Sequence, residues 1–164
     1  MANKLNNLKD LLQYELKDLY SAEIQLTNAL PKLAKSAKHE KLRNAFENHL
    51  EETRHQIERL EQVASEANMD IKGEDCEAMK GLIKEGEEMI EQNASDAVND
   101  AGLIAAAQRV EHYEIAGYGT VVRYLEMLDM KNAANLMKET LNEEKEADAK
   151  LSKISDEVNK AALS

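Results

Sequence analysis

The chain has 164 residues, enough for one domain with a buried core, and 43% of them are hydrophobic, which excludes a disordered tail. Asp and Glu number 32 against 21 Lys and Arg, so the formal charge is −11, the wrong sign for a protein whose main partner is nucleic acid or an anionic membrane. A single cysteine, Cys76, excludes an intrachain disulfide and a cysteine-based zinc site, and fits a reducing, cytoplasmic setting.

The opening MANKLNNLKD lacks the apolar stretch of a signal peptide, and no apolar run approaches the ~18 residues that span a bilayer. One proline and six glycines, with abundant Ala, Leu, Glu and Lys, make a helical composition. The first segment with helical spacing, about 6–37, carries Leu8, Leu12, Leu16, Leu19, Leu26, Leu30 and Leu33, with Pro31 as a candidate kink. The second, about 39–66, carries Leu42, Phe46, Leu60 and Val63. A long link follows, in which CEAMKGLIKEGEEMI reads as a shorter helix. Ser95 and Asp96 form a cap for the third long segment, about 95–129, with Ile104, Ile115, Tyr118, Val122 and Leu125. The fourth, about 131–163, carries Met137, Leu141, Leu151, Ile154 and Val158. Tight turns near Lys38 and Met130, with one long link between the two hairpins, predict an all-α, ferritin-like four-helix bundle with a short extra helix in the crossover. Residues 1–164 are expected to form that single domain.

Acids interrupt the apolar stripes. Glu23 lies between Leu16/Leu19 and Leu26/Leu30, Glu111 lies near the centre of the third stripe, and Glu144 follows Leu141 with Asp148 on the same face. Glu52 lies toward one edge of a stripe made by Leu42, Phe46, His49, Thr53, Gln56 and Leu60, and Glu114 sits at the edge of its own. Their depths agree. From Lys38, Glu23 is 15 residues away and Glu52 is 14; from Met130, Glu144 is 14, Glu114 16, Asp148 18 and Glu111 19. At about 1.5 Å per residue these levels agree within roughly a turn. A single inward glutamate commonly snorkels or pairs with a basic residue. Several at one depth would repel, and each would cost several kcal/mol unless protonated or bound to a cation. Two divalent metals answer that penalty; a metal-free, protonated or hydrogen-bonded cluster is the alternative.

Glu52 and His55 have the Glu-x-x-His spacing of dimetal bundles, but His55 points about 120° from the stripe centre, which places it on the surface. His49 sits almost at the centre, as a ligand or as a partner of one. His112 lies about 70° off its stripe, either orienting a ligand or covering the core, and Glu143 reads as a solvated edge residue. Tyr20 and Tyr118 are candidate hydrogen-bond donors to the metals, or core filler. Cys76 is expected to pack against the bundle, and Gly117 and Gly119 to allow close helix contact.

The segments DLYSAEIQLTNALPKLAK, HLEETRHQIERLEQV, CEAMKGLIKEG, LIAAAQRVEHYEIAGYGT and ETLNEEKEADAKL resemble the YciF/YciE-type bacterial stress proteins of the ferritin-like superfamily. The resemblance runs over nearly the whole chain, and EHYEI with the EE-x-x-x-D run carries it most specifically. It implies a bundle with an added crossover helix, a homodimer and a carboxylate-rich dimetal centre. Its ligand positions fall on Glu23, Glu52, Glu111, Glu114, Glu144 and Asp148, with His49 close by. His55 departs from the family, and Asp148 stands one turn beyond the last glutamate, where ferritin-like relatives place a histidine. Oxygen-rich ligands suit iron first and manganese second. The expected activity is therefore a dimetal-carboxylate oxidoreductase of the stress response, using peroxide or dioxygen, with Glu52 and Glu144 bridging, Glu23 and Glu111 terminal, and Glu114 and Asp148 completing the sphere. A manganese catalase-like dismutation would use the same ligands. The competing expectations are a non-enzymatic dimeric helical protein with a structural metal or none, and, more weakly, a subunit of a storage cage.

Overall fold

The structure, a computed structural model, describes residues 5–163. Among the described residues five helices follow one another: α1 (Leu8–Ser36), α2 (Glu40–Ala67), α3 (Glu77–Glu91), α4 (Asp96–Met127) and α5 (Lys131–Ala161). Each long helix begins and ends within two residues of its predicted bounds. The Asn7 side chain caps α1 by accepting from Asp10 N at 2.9 Å. α1 continues through Pro31. α2 stops where Asn68 turns left-handed at φ 50°, a conformation its short polar side chain tolerates. Ser95 stands at the predicted N-cap of α4, but its side chain makes no capping hydrogen bond.

α1 packs against α2 and α4, and α5 packs against the same two helices from the opposite corner. α2 and α4 therefore share a diagonal and run parallel, because the crossover through α3 returns the chain to its starting end. α3 lies over α1 and α4. Met89 sits so close to Gly102 that a Cβ there would fall 2.3 Å from its sulfur, and Leu19 approaches Gly117 similarly, at 2.8 Å. Gly119 faces open space, so the close approach expected of both glycines occurs at Gly117 alone of that pair.

The apolar core is divided in two. One cluster, toward the α1–α2 turn, gathers Leu26, Leu30, Leu42, Phe46, Leu103 and Ile154; the other, toward the α4–α5 turn, gathers Leu12, Leu16, Leu60, Tyr118, Leu125 and Met137. The acids lie between them. At the first end, the buried carboxylate of Asp100 accepts from Lys38 N at 2.9 and 3.2 Å and from His39 N at 2.6 Å, which ties the α1–α2 turn to α4. No described helix is long and apolar enough to cross a membrane.

Candidate metal centre

α4 touches α1, α3 and α5, so its buried face is wider than one stripe. Glu114, at the edge of the predicted stripe, is consequently fully buried, while Ile115 is only half-buried. Around Glu114 the bundle gathers Glu23 from α1, His49 from α2, Glu111 from α4 itself and Glu144 from α5, all of them buried. His49, Glu111, Glu114 and Glu144 each present a ligand atom, and these atoms lie within 4.8 Å of one another. Glu23 stands beside them, and its Oε1 accepts a hydrogen bond from the Tyr118 hydroxyl.

Hydrogen bonding leaves this group incomplete. Glu23 Oε2, Glu111 Oε2, both oxygens of Glu114, Glu144 Oε2 and His49 Nε2 are buried without a hydrogen-bond partner. Buried polar groups are normally satisfied, so six such atoms at one level fit either a bound cation or protons shared between neighbouring carboxyls, Glu23 with Glu114 and Glu111 with Glu144. Among the described residues, the basic group facing Glu111 and Glu144 is His49, whose Nε2 lies 3.4 and 3.7 Å from their oxygens. Arg59, which approaches the same face, is held elsewhere by Glu143, through two contacts of 2.7 Å.

The electrostatics follow from burial. Burial and the charge of Glu144 push Glu23 up to about 8, although the Tyr118 hydrogen bond acts in the opposite sense. Burial raises Glu111 and Glu114 well above the usual carboxylate range, with the neighbouring carboxylates contributing. For His49, burial disfavours the charged ring, but Glu111, Glu52, Glu144 and Glu23 outweigh it and push the group up to about 10.

Glu52 and Asp148 take different positions from these five. Glu52 is half-buried, and its Oε2 lies 3.2 Å from His49 Nδ1, the ring nitrogen opposite the one facing the cluster. With Nδ1–H donated to Glu52, Nε2 is the nitrogen that faces the cluster, and it offers a lone pair inward only once a cation displaces its proton, as in a metal-binding histidine steadied by a carboxylate. Asp148 is also half-buried and is held by Gln108 at 3.1 Å and by His112 at 3.3 Å. His55 is exposed, as its helical angle predicts. Tyr20, a candidate donor to the metals, donates instead to Glu61 at 2.9 Å. Cys76 is buried at the head of α3, with its sulfur 3.1 Å from the Tyr113 hydroxyl.

Two features escape a reading of single stripes. Gln56 donates to Glu144 and to Glu143, and Glu143, read as a solvated edge residue, also holds Arg59. The signal was Gln56 and Arg59 three residues apart on α2, matched by adjacent acids on α5. Asp100 is the second; its role depends on a turn 62 residues away.

Fold and site together define a ferritin-like helical bundle with a buried carboxylate–histidine cluster able to hold metal. The chain belongs to the family described as Domain of unknown function (DUF892), which it matches over residues 7–164. It is 52% identical to Protein YciF of Escherichia coli K12 over 160 residues, 96% of each chain. The crystal structure of the E. coli stress protein YciF superposes with a TM-score of 0.92 at 51% identity, covering 95% of this chain and 99% of that one. YcfI of Rhodopseudomonas palustris, provisionally described as a structural protein, superposes with a TM-score of 0.89 at 42% identity, over 93% of this chain and 97% of its own.

Proposed function

We propose that this protein is a dimetal-carboxylate oxidoreductase of the stress response, holding two iron or manganese ions at mid-bundle and using peroxide or dioxygen as oxidant. The observation that carries this reading is the set of buried, unpartnered ligand atoms on Glu23, His49, Glu111, Glu114 and Glu144. Four carboxylates carry four negative charges, which two divalent ions balance with His49 neutral; one ion would leave an excess of two negative charges in the core. Oxygen-rich ligation suits iron or manganese, which when bound would supply one-electron chemistry toward a small oxidant.

Each side chain has a distinct part in this reading. Glu114, whose oxygens receive no N–H or hydroxyl and which has Glu23, Glu144 and Glu111 around it, would with Glu144 hold the ions from the middle of the cluster. Glu23 and Glu111 would hold them from either side. Glu52, hydrogen-bonded to His49 Nδ1, orients the ring, which favours Glu114 over Glu52 as the acid that would be shared between ions. Tyr118 fixes one oxygen of Glu23, and Gln56 fixes one of Glu144. Asp148 stands at the rim, where it can exchange into the coordination sphere. A homodimer is the proposed assembly, and solution mass by light scattering separates it from a large shell.

A second reading has its own support. The hydrogen bonds from Tyr118 and Gln56, and the raised affinity of Glu23, Glu111 and Glu114 for protons, suit a metal-free cluster in a non-enzymatic structural protein. The provisional description of YcfI belongs to the same reading. Metal analysis of protein expressed with iron or manganese should give near two ions per chain, and none bound after reconstitution overturns the dimetal reading. Metal that binds without accelerating Fe(II) oxidation over buffer, with either oxidant, establishes the structural one.

A further inference from the structure

The buried cluster has a way out to the surface between α2 and α5. A narrow cleft there is lined by Ala45, Phe46, His49 and Glu52 of α2 and by Ala147, Lys150 and Leu151 of α5, with Glu111 of α4 at its floor. Its volume of about 10 Å³ accommodates roughly one water-sized particle, so it suits a small ion and excludes an organic molecule. Ala45 and Ala147 keep it open, because both helices present a methyl group where a longer side chain would close the gap. Ligand-type groups line the path inward. The half-exposed Glu52 carboxylate at the mouth is 3.2 Å from His49, and His49 is 3.4 Å from Glu111.

On the opposite side of α5, polar side chains bridge to α4. Asp148 is held there by Gln108 and His112, and Gln108 also reaches Ser152 at 2.9 Å. The geometry points to the α2–α5 cleft as the route by which divalent cations load the centre, with Glu52 capturing the ion and passing it to His49 and Glu111. This rests on the metal-centre reading of the same site. Lys150, exposed at the rim, tempers the negative potential of the mouth and slows cation capture.

Cobalt(II) uptake by the metal-free full-length protein, followed by stopped-flow absorption, tests the route. Ala147→Leu should slow uptake about tenfold, with the final number of ions per chain unchanged. Ala149→Leu, on the exposed face of the same helix, should leave the rate at the wild-type value. Lys150→Glu should speed uptake several-fold at low salt and lose that advantage at high salt. Ala147→Leu loading at the wild-type rate, or slowing no greater than that of Ala149→Leu, overturns the route and leaves the centre standing. A Lys150→Glu rate indifferent to salt and equal to wild type overturns it equally, even if Ala147→Leu does not fold. Wild-type protein that binds no cobalt overturns route and centre together.

Discussion

Asp100 and Glu114 are both buried acids on α4, roughly four turns apart, in regions that treat a carboxylate in opposite ways. At the end of the bundle, Asp100 has partners for both oxygens, supplied by the backbone N–H groups of Lys38 and His39. At mid-level, neither oxygen of Glu114 receives an N–H or hydroxyl donor, and its neighbours are other carboxyls, of which Glu23 stands close enough to share a proton. Burial alone therefore does not distinguish a structural acid from a candidate ligand; the account of its hydrogen bonds does. The apolar clusters on either side make the contrast sharper, since they alone could hold the bundle together and the polar level contributes little without a cation.

The largest effect should come from an apolar layer. Leu60 is fully buried, and Leu60→Ala should cost about 2–5 kcal/mol in urea unfolding through lost transfer energy and the cavity left behind. Glu114→Gln in the metal-free protein should be neutral or stabilising by the same measurement, because it removes a buried acid without removing volume. A large destabilisation by Glu114→Gln without metal would break the contrast between the two regions.

Metal should reverse the ranking. At a free ion concentration 100 times the dissociation constant, binding to the folded state alone adds about 2.7 kcal/mol, and Glu114→Gln should forfeit most of that gain. The pH dependence has opposite signs in the two forms. Glu23, raised from 4.5 to about 8, and His49, raised from 6.5 to about 10, bind protons more tightly in the folded state. Their stabilising contribution is complete below their unfolded values and is lost as pH rises through the folded ones. Metal competes with those protons, so its affinity rises over the same range. The difference in Tm between loaded and metal-free protein should widen from pH 6 to pH 8, and a difference that stays flat would show that ions bind elsewhere.

Asp100→Ala should cost about 1–3 kcal/mol, with or without metal, by leaving the amides of Lys38 and His39 without their acceptor. Its insensitivity to metal is the useful part, since it separates a clasp at the end of the bundle from the candidate ligands at its centre.

Helix existence and pairing were legible in the sequence because the spacing of residues such as Leu12, Leu16 and Leu19, or Leu151, Ile154 and Val158, reports one buried face per helix, and turn lengths report the hairpins. The inward positions of Glu23, Glu111, Glu144 and His49 followed from the same angles. Glu114 was misjudged as an edge residue because a stripe assumes one packing partner, whereas α4 has α1, α3 and α5 against it. The side-chain chain from Arg59 through Glu143 and Gln56 to Glu144 joins two helices, and a pattern on one helix does not reveal which acid on the other will meet it.

The smallest expected effect belongs to a residue that a motif search would favour. Glu52 and His55 have the spacing of a Glu-x-x-His ligand pair, yet His55 is exposed, and the inward imidazole is His49, three residues before Glu52 instead of three after. His55→Ala should change stability by less than about 0.5 kcal/mol and leave the number of bound ions unaltered. His49→Ala should lower metal affinity and also release Glu52, whose carboxyl is held below its ordinary range by the hydrogen bond to the His49 ring. Equal effects of the two substitutions on metal content would mean that α2 rotates on binding. The direct contacts of His49 Nε2 with Glu111 and Glu144 argue against such a rotation, because the ring already stands where an inward ligand is needed.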